Sequence, residues 1–360
     1  MIETHLPRQL SGQRYDQYLA SGWFRGSVML YKMDLLIMDE QLWSVVNIRL
    51  KLDGFAQRKS QRKCMRKVED AFEVKVQPAR LDAQRERLYQ LHKSRFKGFV
   101  HNTLSEYLHA GFNRTVFNTM EVAVYDGERL VAVSFFDLGH RAMASLLALY
   151  DPDFQRFSLG RYTMLKEVEF GQNQGYKWYY PGYVLDRTSM FDYKTELGPM
   201  QYYTANKRWG AYSNYRPGQS KAQVLAERAA HMRHALQGAE IPFGERFYPF
   251  FSMAYLGIWG HQFLNLPVIF ELGADVHGML VIGLDPVDLD WVMGYMHPCR
   301  DEQQFLNREH ATEYSDPTVY LTHLMEFSPL RPRYQEPGEV IEYLLNWGAS
   351  VAHYPPFPHP

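Results

Sequence analysis

The chain has 360 residues, 46% of them apolar and 15% aromatic, with a formal net charge of −1. That is enough to build two or three compact units with sizeable cores, which excludes a disordered chain. Two cysteines, Cys64 and Cys299, exclude a disulfide framework and a paired-cysteine zinc site, and no run of eighteen apolar residues reads as a membrane span.

The N-terminal sequence MIETHLPRQL has no apolar h-region, so no signal peptide is expected and a cytoplasmic protein is. Residues 1–48 are dense in aromatics and methionines. WSVVNIRLKL (43–52) alternates and is β-branched, which predicts a strand, and Asp53-Gly54 a turn. KSQRKCMRK (59–67) reads as a basic loop or the start of a short helix. Helices are predicted over Pro78 to Lys93 and over Thr103 to His109. EVAVYD (121–126), the Asp126-Gly127 turn and RLVAVSFFD (129–137) predict a hairpin, followed by AMASLLALY (142–150) as a strand buried on both faces. SLGRYTMLKEVEFGQNQG (158–175) predicts a helix with Ser158 as N-cap and Gly175 closing it. KWYYPGYVL (177–185) predicts a strand broken at Pro181-Gly182. Residues 206–220 read as a linker and 220–238 as a helix. Residues 241–360 read as folded, with no assigned topology. The expected division is an N-terminal subdomain (1–75), an acyltransferase core (76–205) and a C-terminal accessory domain (206–360).

Charge is unevenly spread. Arg49 to Lys97 holds fifteen Lys/Arg against six Asp/Glu, whereas residues 241–360 hold five Arg, no Lys and fifteen Asp/Glu. The basic segment can serve a polyanion, or the acidic part can dock on it. Fourteen histidines are present, including His231 and His234 on one predicted helix and His353 and His359 in the tail. With no HExxH and no paired cysteines, no metal is expected.

Three meandering strands, a glycine turn, a helix and another strand read as an α+β, GNAT-like mixed sheet flanked by helices. The helix start leaves backbone N–H groups unsatisfied and positive, Gly160 permits close approach of a ligand or of packed neighbours, and Arg156 and Arg161 can reach a phosphate.

The runs DPDFQRFSLGRYTMLKEVEF and KWYYPGYVLDRTSMFDYKTELGP resemble the C-terminal domain of the aminoacyl-tRNA–protein transferases, the arginyltransferases and their bacterial leucyltransferase relatives. Asp151, Pro152, Ser158, Leu159, Gly160 and Tyr162 match one family segment. Tyr179, Tyr180, Gly182 and Tyr183 match a second, and Met190, Tyr193 and Lys194 a third, with one extra residue between Met and Tyr. SQRKCMRK (60–67), GWFRGSVMLYK (22–32) and NIRL (47–50) are similar to the family's upstream segments. Three features depart from the family, one of them the long extension after Tyr203. KMDLLIMDEQLWS (32–44) lacks its cysteine cluster, and VLDRTSM (184–190) has Arg187 and no Cys before Met190.

The resemblance implies transfer of an aminoacyl group from charged tRNA to an amine, with a protein or peptide as acceptor and no cofactor beyond that co-substrate. It implies donor contacts from Arg156, Ser158, Leu159, Gly160, Arg161, Tyr162, Tyr179, Tyr180, Gly182, Met190 and Tyr193. Tyr183, Asp186, Lys194 and Glu121 are the expected catalytic or amine-anchoring groups. Arg62, Lys63, Arg66 and Lys67 would track tRNA phosphates. Against these stand plainer readings: a half-buried strand face for the tyrosines, a solvated Lys194 and an ordinary charged surface. Two other functions fit the same pattern, an acyl-CoA-dependent N-acyltransferase and a non-catalytic binding module.

Overall fold

A computed structural model describes residues 3–93, 95, 100–112, 115–257, 260–306 and 312–351, so the tail histidines His353 and His359 lie outside the described residues. The chain forms two compact units. One comprises residues 4–32 and 45–216, the other residues 1–3, 33–44 and 217–360.

In the first unit, β1 (Glu3–His5), α1 (Gly12–Ala20), β2 (Phe24–Gly26) and β3 (Met29–Lys32) open the chain, and the three strands pair in the order β1-β3-β2. The hairpin of β4 (Leu35–Met38) and β5 (Gln41–Lys51) turns at Asp39 and Glu40, both at positive φ, as a two-residue turn between twisted strands requires. β4 and the first residues of β5 are counted with the second unit, and β5 then continues into the large sheet of the first.

The basic segment is a full helix, α2 (Lys59–Glu69), not a loop. Its Met65 and Val68 are buried at helical spacing and supply the apolar driving force its charges lack, while buried Gln61 donates to the Leu197 carbonyl at 2.9 Å. The order then runs β6 (Glu73–Pro78), α3 (Ala83–Lys93), α4 (Leu104–His109), β7 (Thr119–Asp126), β8 (Arg129–Leu138), β9 (Ala142–Tyr150), α5 (Leu159–Asn173), β10 (Trp178–Tyr180), β11 (Tyr183–Leu185), β12 (Met200–Tyr203) and β13 (Trp209–Ala211). Pro78 ends β6 and residues 79–82 are irregular, so the helix expected from Pro78 starts only at Ala83. The stretch expected as a linker carries β13, which pairs with β12.

The sheet order is β13-β12-β5-β10-β9-β8-β7-β6, with the core meander β7-β8-β9 antiparallel and β10 parallel to β9. The sheet therefore runs across residues 75–76. Its two faces bury different residues because strand side chains alternate. Val122, Val124, Val131 and Met143 pack with Leu159, Leu165 and Val168 of α5 and Met65 and Val68 of α2. Ala123, Val133, Phe135 and Leu149 pack with Leu88 and Tyr89 of α3. At roughly 25 cal/mol per Å², each fully buried aliphatic or aromatic side chain on these faces contributes about 1.5–3 kcal/mol.

The second unit, whose topology the sequence left open, contains α6 (Lys221–Gly238), capped by the Ser220 hydroxyl, which accepts from the Gln223 amide. An antiparallel sheet follows, in the order β14 (Gly244–Phe247), β15 (Val268–Asp275), β16 (Gly278–Leu284), β17 (Trp291–Pro298) and β18 (Met325–Pro329). The short α7 (Glu302–Phe305) lies between β17 and β18, and α8 (Pro337–Val351) closes the described chain. Met232 and Leu236 of α6, Phe270, Ile282 and Trp291 of the sheet and Val340 of α8 form its core, all with no more than traces of exposure.

Candidate active site

The pairing of the two parallel strands is short, and this makes the site. β10 matches β9 only over Trp178↔Ala142 to Tyr180↔Ala144. β11 pairs instead with β5, over Tyr183↔Asn47 to Leu185↔Val45. Pro181 has no N–H to continue a ladder, and Gly182 sits at φ 95°, a conformation that favours glycine. The strands therefore part after Tyr180, and Ser145 to Tyr150 of β9 lose their parallel neighbour. Ser145, Leu146, Ala148 and Tyr150 are half-buried, where continuous burial was expected.

Buried polar groups sit where the strands part. Glu167 of α5 is fully buried and accepts from the Tyr179 hydroxyl at 2.8 Å. Burial raises its carboxyl to about 7, opposed in part by the hydroxyls of Ser134, Tyr179 and Ser145. Tyr193, 48% exposed, is pushed above the ordinary phenol range first by partial burial, then by the charges of Glu167 and Tyr150. Sequence reasoning missed Glu167. Its signal was the i, i+4 line Thr163, Glu167, Gly171 facing the sheet, where the Cβ that Gly171 lacks would lie 2.5 Å from Met143 Sδ.

The turn before α5 is held by Asp151. Its buried carboxylate receives Arg87 at 2.8 Å and Arg129 at 2.6 Å and caps the 3₁₀ turn Pro152–Phe157 through the Asp153 amide. Burial alone would raise this carboxyl, and the two guanidinium hydrogen bonds more than reverse that. Ser158 does not cap α5 with its side chain. It sits in the left-handed region, at φ 54° and ψ 46°, and sets the angle between turn and helix. Leu159 and Tyr162 are core residues. Tyr162 donates to Glu69 at 3.3 Å, so neither side chain is offered to a donor. At Gly160 an added Cβ would meet only the Tyr150 ring, at an ordinary 3.7 Å, so no packing clash demands glycine there. Arg156 lies over the Phe157 ring, and Arg161 pairs with Glu196 at 3.2 Å on the surface.

Arg62, Lys63, Arg66 and Lys67 are exposed at i, i+1, i+4 and i+5, hence on one face of α2. Among the described residues none of the four pairs with a carboxylate. Lys67 Nζ donates to the Arg156 carbonyl at 2.6 Å, which joins this basic face to the turn before α5.

Lys194 lies over the rings of Tyr183 (5.1 Å) and Phe191 (4.9 Å) and donates to the Tyr183 carbonyl at 2.9 Å. The Cβ that Gly182 lacks would stand 3.4 Å from Nζ, so Gly182 leaves room for the ammonium. Burial lowers the ammonium to about 8, and no carboxylate among the described residues offsets that desolvation. Tyr183 in turn meets Phe24 edge-on at 5.5 Å. Met190, 56% exposed, follows on the same loop. Tyr179 and Tyr180 are buried, Tyr180 taking a hydrogen bond from Arg49 at 3.3 Å. Arg49, also missed in the sequence, is clasped between Trp178 (3.7 Å) and Trp209 (4.2 Å).

One expected catalytic carboxylate is engaged elsewhere. Glu121 is fully buried, on the α3 face of the sheet and not the α5 face. It receives both Nε (2.7 Å) and Nη2 of Arg85, Gln77 Nε2 at 2.7 Å and the Arg80 amide at 3.2 Å. A carboxylate so saturated fixes α3 to β7 and has no lone pair left for a substrate proton. Asp186 is 2% exposed, with Arg187 Nε 3.9 Å away. A surface cleft of about 350 Å³ beside Ser11, Phe117 and His140 shares no residue with the predicted site.

Among the described residues no helix is long and apolar enough to cross a membrane. The family model described as "Arginine-tRNA-protein transferase, C terminus" matches residues 79–204. The aspartate/glutamate leucyltransferase of Vibrio cholerae is 27% identical over 207 residues, 56% of this chain and 85% of the relative. That of Leptospira interrogans is 24% identical over 200 residues, 54% and 76% of the two chains. Among solved structures, L-PGS from Bacillus licheniformis has a TM-score of 0.32 at 14% identity, covering 41% of this chain and 48% of that one. A GCN5-related glucosamine N-acetyltransferase region of a fungal enzyme has a TM-score of 0.29 at 12% identity, covering 57% and 23%.

Proposed function

We propose that this chain, whose residues 79–204 match the arginine-tRNA-protein transferase C-terminal model, is an aminoacyl-tRNA–protein transferase that moves an aminoacyl group from the 3′ end of a charged tRNA to the amine of an acidic N-terminal residue. The observation that carries this reading is the continuity of an unneutralised basic helix face with the turn that opens α5, through Lys67 and the Arg156 carbonyl. A face of four cations without acid partners among the described residues suits a polyphosphate backbone, which it positions without reading sequence. The first N–H groups of α5, beside Gly160 and the Tyr150 ring, then receive the 3′ end.

The reaction is aminolysis. The amine nitrogen attacks the ester carbonyl, the C–N bond forms, an oxyanion develops, and the 3′ oxygen departs with a proton. The gap between β9 and β11 holds the aminoacyl group, and positioning and exclusion of water supply most of the acceleration. Lys194, a cation with aromatic neighbours and no counter-charge among the described residues, binds the acceptor's carboxylate, whose arrival offsets the desolvation of the ammonium. Glu167 acts as a positioning residue that holds Tyr179 at the point where the strands part. The reading calls for no cofactor beyond the charged tRNA.

The test is charge reversal on α2. Arg62→Glu with Arg66→Glu is expected to lower tRNA affinity about 10- to 100-fold at physiological salt and to reduce the slope of log affinity against log salt by about 2. Unchanged affinity and slope, together with thermal stabilisation by an acyl-CoA and none by tRNA, would replace this reading with acyl-CoA-dependent transfer.

A further inference from the structure

We propose that the second unit binds one divalent transition-metal ion of the zinc type through His261, Cys299 and Glu326. The ligand atoms of these three residues all lie within 4.8 Å of one another. They come from three chain segments. His261 lies in the loop before β15, Cys299 directly follows β17, and Glu326 is in β18.

Backbone hydrogen bonds fix all three segments. The Phe327 amide donates to the Gln262 carbonyl at 2.7 Å, the Leu264 amide to the Met325 carbonyl at 2.9 Å, and the Cys299 amide to the Leu324 carbonyl at 2.7 Å. The donors are therefore convergent before any ion arrives, so little ordering remains to be done on binding.

An imidazole nitrogen, a thiolate and a carboxylate oxygen form a mixed N/S/O set. Hard ions such as magnesium and calcium take oxygen shells, whereas zinc accepts this mixture in a tetrahedron. Metal–ligand distances of about 2.0–2.3 Å place neighbouring donors roughly 3.5 Å apart. His261 Nδ1 and Glu326 Oε1 now stand at 2.6 Å, so the ion replaces the proton between them and pushes them about 1 Å apart.

The surroundings fit the same ion. His297 opposes Glu326 across the β17–β18 ladder, and its Nε2 lies 3.2 Å from Oε2, the carboxylate oxygen turned away from His261. That contact orients the ligand as outer-shell partners of metal sites do. The His261 ring stacks on Phe263 at 5.2 Å and meets the edge of Phe305 at 4.9 Å, which shields one side. Cys299 is 5% exposed, while the His261 and Glu326 side chains keep 20% and 24% exposure, so a fourth position opens to water. Nearby Glu302 is held by the Leu324 amide and His323 and is not a ligand in this arrangement. An ion here cross-links residues 261, 299 and 326 and so stabilises the unit.

The experiment uses the full chain, purified reduced and stripped of metal, then titrated with Co²⁺ and, separately, with Zn²⁺ followed by elemental analysis. One equivalent of either metal, a thiolate-to-cobalt charge-transfer band and a raised melting temperature are expected. Cys299→Ser should abolish the band, and Glu326→Gln, which keeps the thiol, should weaken binding at least ~10-fold. Circular dichroism confirms that each variant is folded. Failure of the folded wild-type chain to bind either ion at micromolar concentration overturns the site, as does a charge-transfer band that survives Cys299→Ser.

Discussion

Glu167→Gln should change how folding stability depends on pH, because this carboxyl is buried among hydroxyls with no cation among the described residues to offset its charge. Its group titrates near 7 in the fold and at 4.5 when exposed. Between these values the folded chain keeps a proton that the unfolded chain has lost, so the native state binds more protons and stability falls as pH rises. Above pH 7 both states are ionised and the full penalty applies. At about 1.4 kcal/mol for each tenfold difference in proton affinity, ionised Glu167 costs the fold about 3 kcal/mol. Glutamine keeps the shape and an oxygen that can accept from Tyr179, without titrating. Urea unfolding of both proteins at pH 5, 6, 7 and 8 gives the difference directly. The wild type should lose about 2.5 kcal/mol relative to Glu167→Gln from pH 5 to pH 8, the rest of the penalty being already present at pH 5. A difference that stays flat within 0.5 kcal/mol would refute the assignment of an unpaired, proton-holding carboxyl at this position.

Glu121→Ala should destabilise the first unit by about 3–5 kcal/mol, since it leaves the guanidinium of Arg85 buried with only Asp82 as an acid partner. Calorimetry that resolves the two units' transitions measures this, and a loss below 1 kcal/mol would return Glu121 to the list of candidate catalytic groups. Lys194→Met should raise KM for a peptide beginning with an acidic residue at least ~10-fold, with a smaller change in kcat. The melting temperature at pH 7 should not fall, because a desolvated ammonium without a counter-charge is removed. An equal loss with neutral and acidic acceptors would argue against Lys194 as the acceptor's anchor.

Local signals determined the meander of the first unit and the helix that follows it. Alternation set the strand near 121–126, Asp126-Gly127 set its turn into the partner strand near 129–137, and a mostly apolar run set the strand near 142–150, because these depend on neighbours one to four residues apart. The motifs around Gly160, Tyr183 and Lys194, and the basic residues of α2, were legible for the same reason. The alternation also placed Glu121 on a strand, but only the assembled sheet decided which face it occupies, and Arg85 on that face turned a candidate base into an ion-pair partner. Ser158 carried the residue type of a cap, yet the left-handed backbone set by the Asp151-anchored turn points its side chain elsewhere. The parting of β9 from β11, the burial of Glu167 behind Tyr179 and the meeting of His261, Cys299 and Glu326 are tertiary facts. Each joins residues twelve to a hundred positions or so apart, or depends on which strand takes a neighbour's hydrogen bonds. No local periodicity encodes such choices, because the free energy that settles them arises only when distant surfaces pack and leave water.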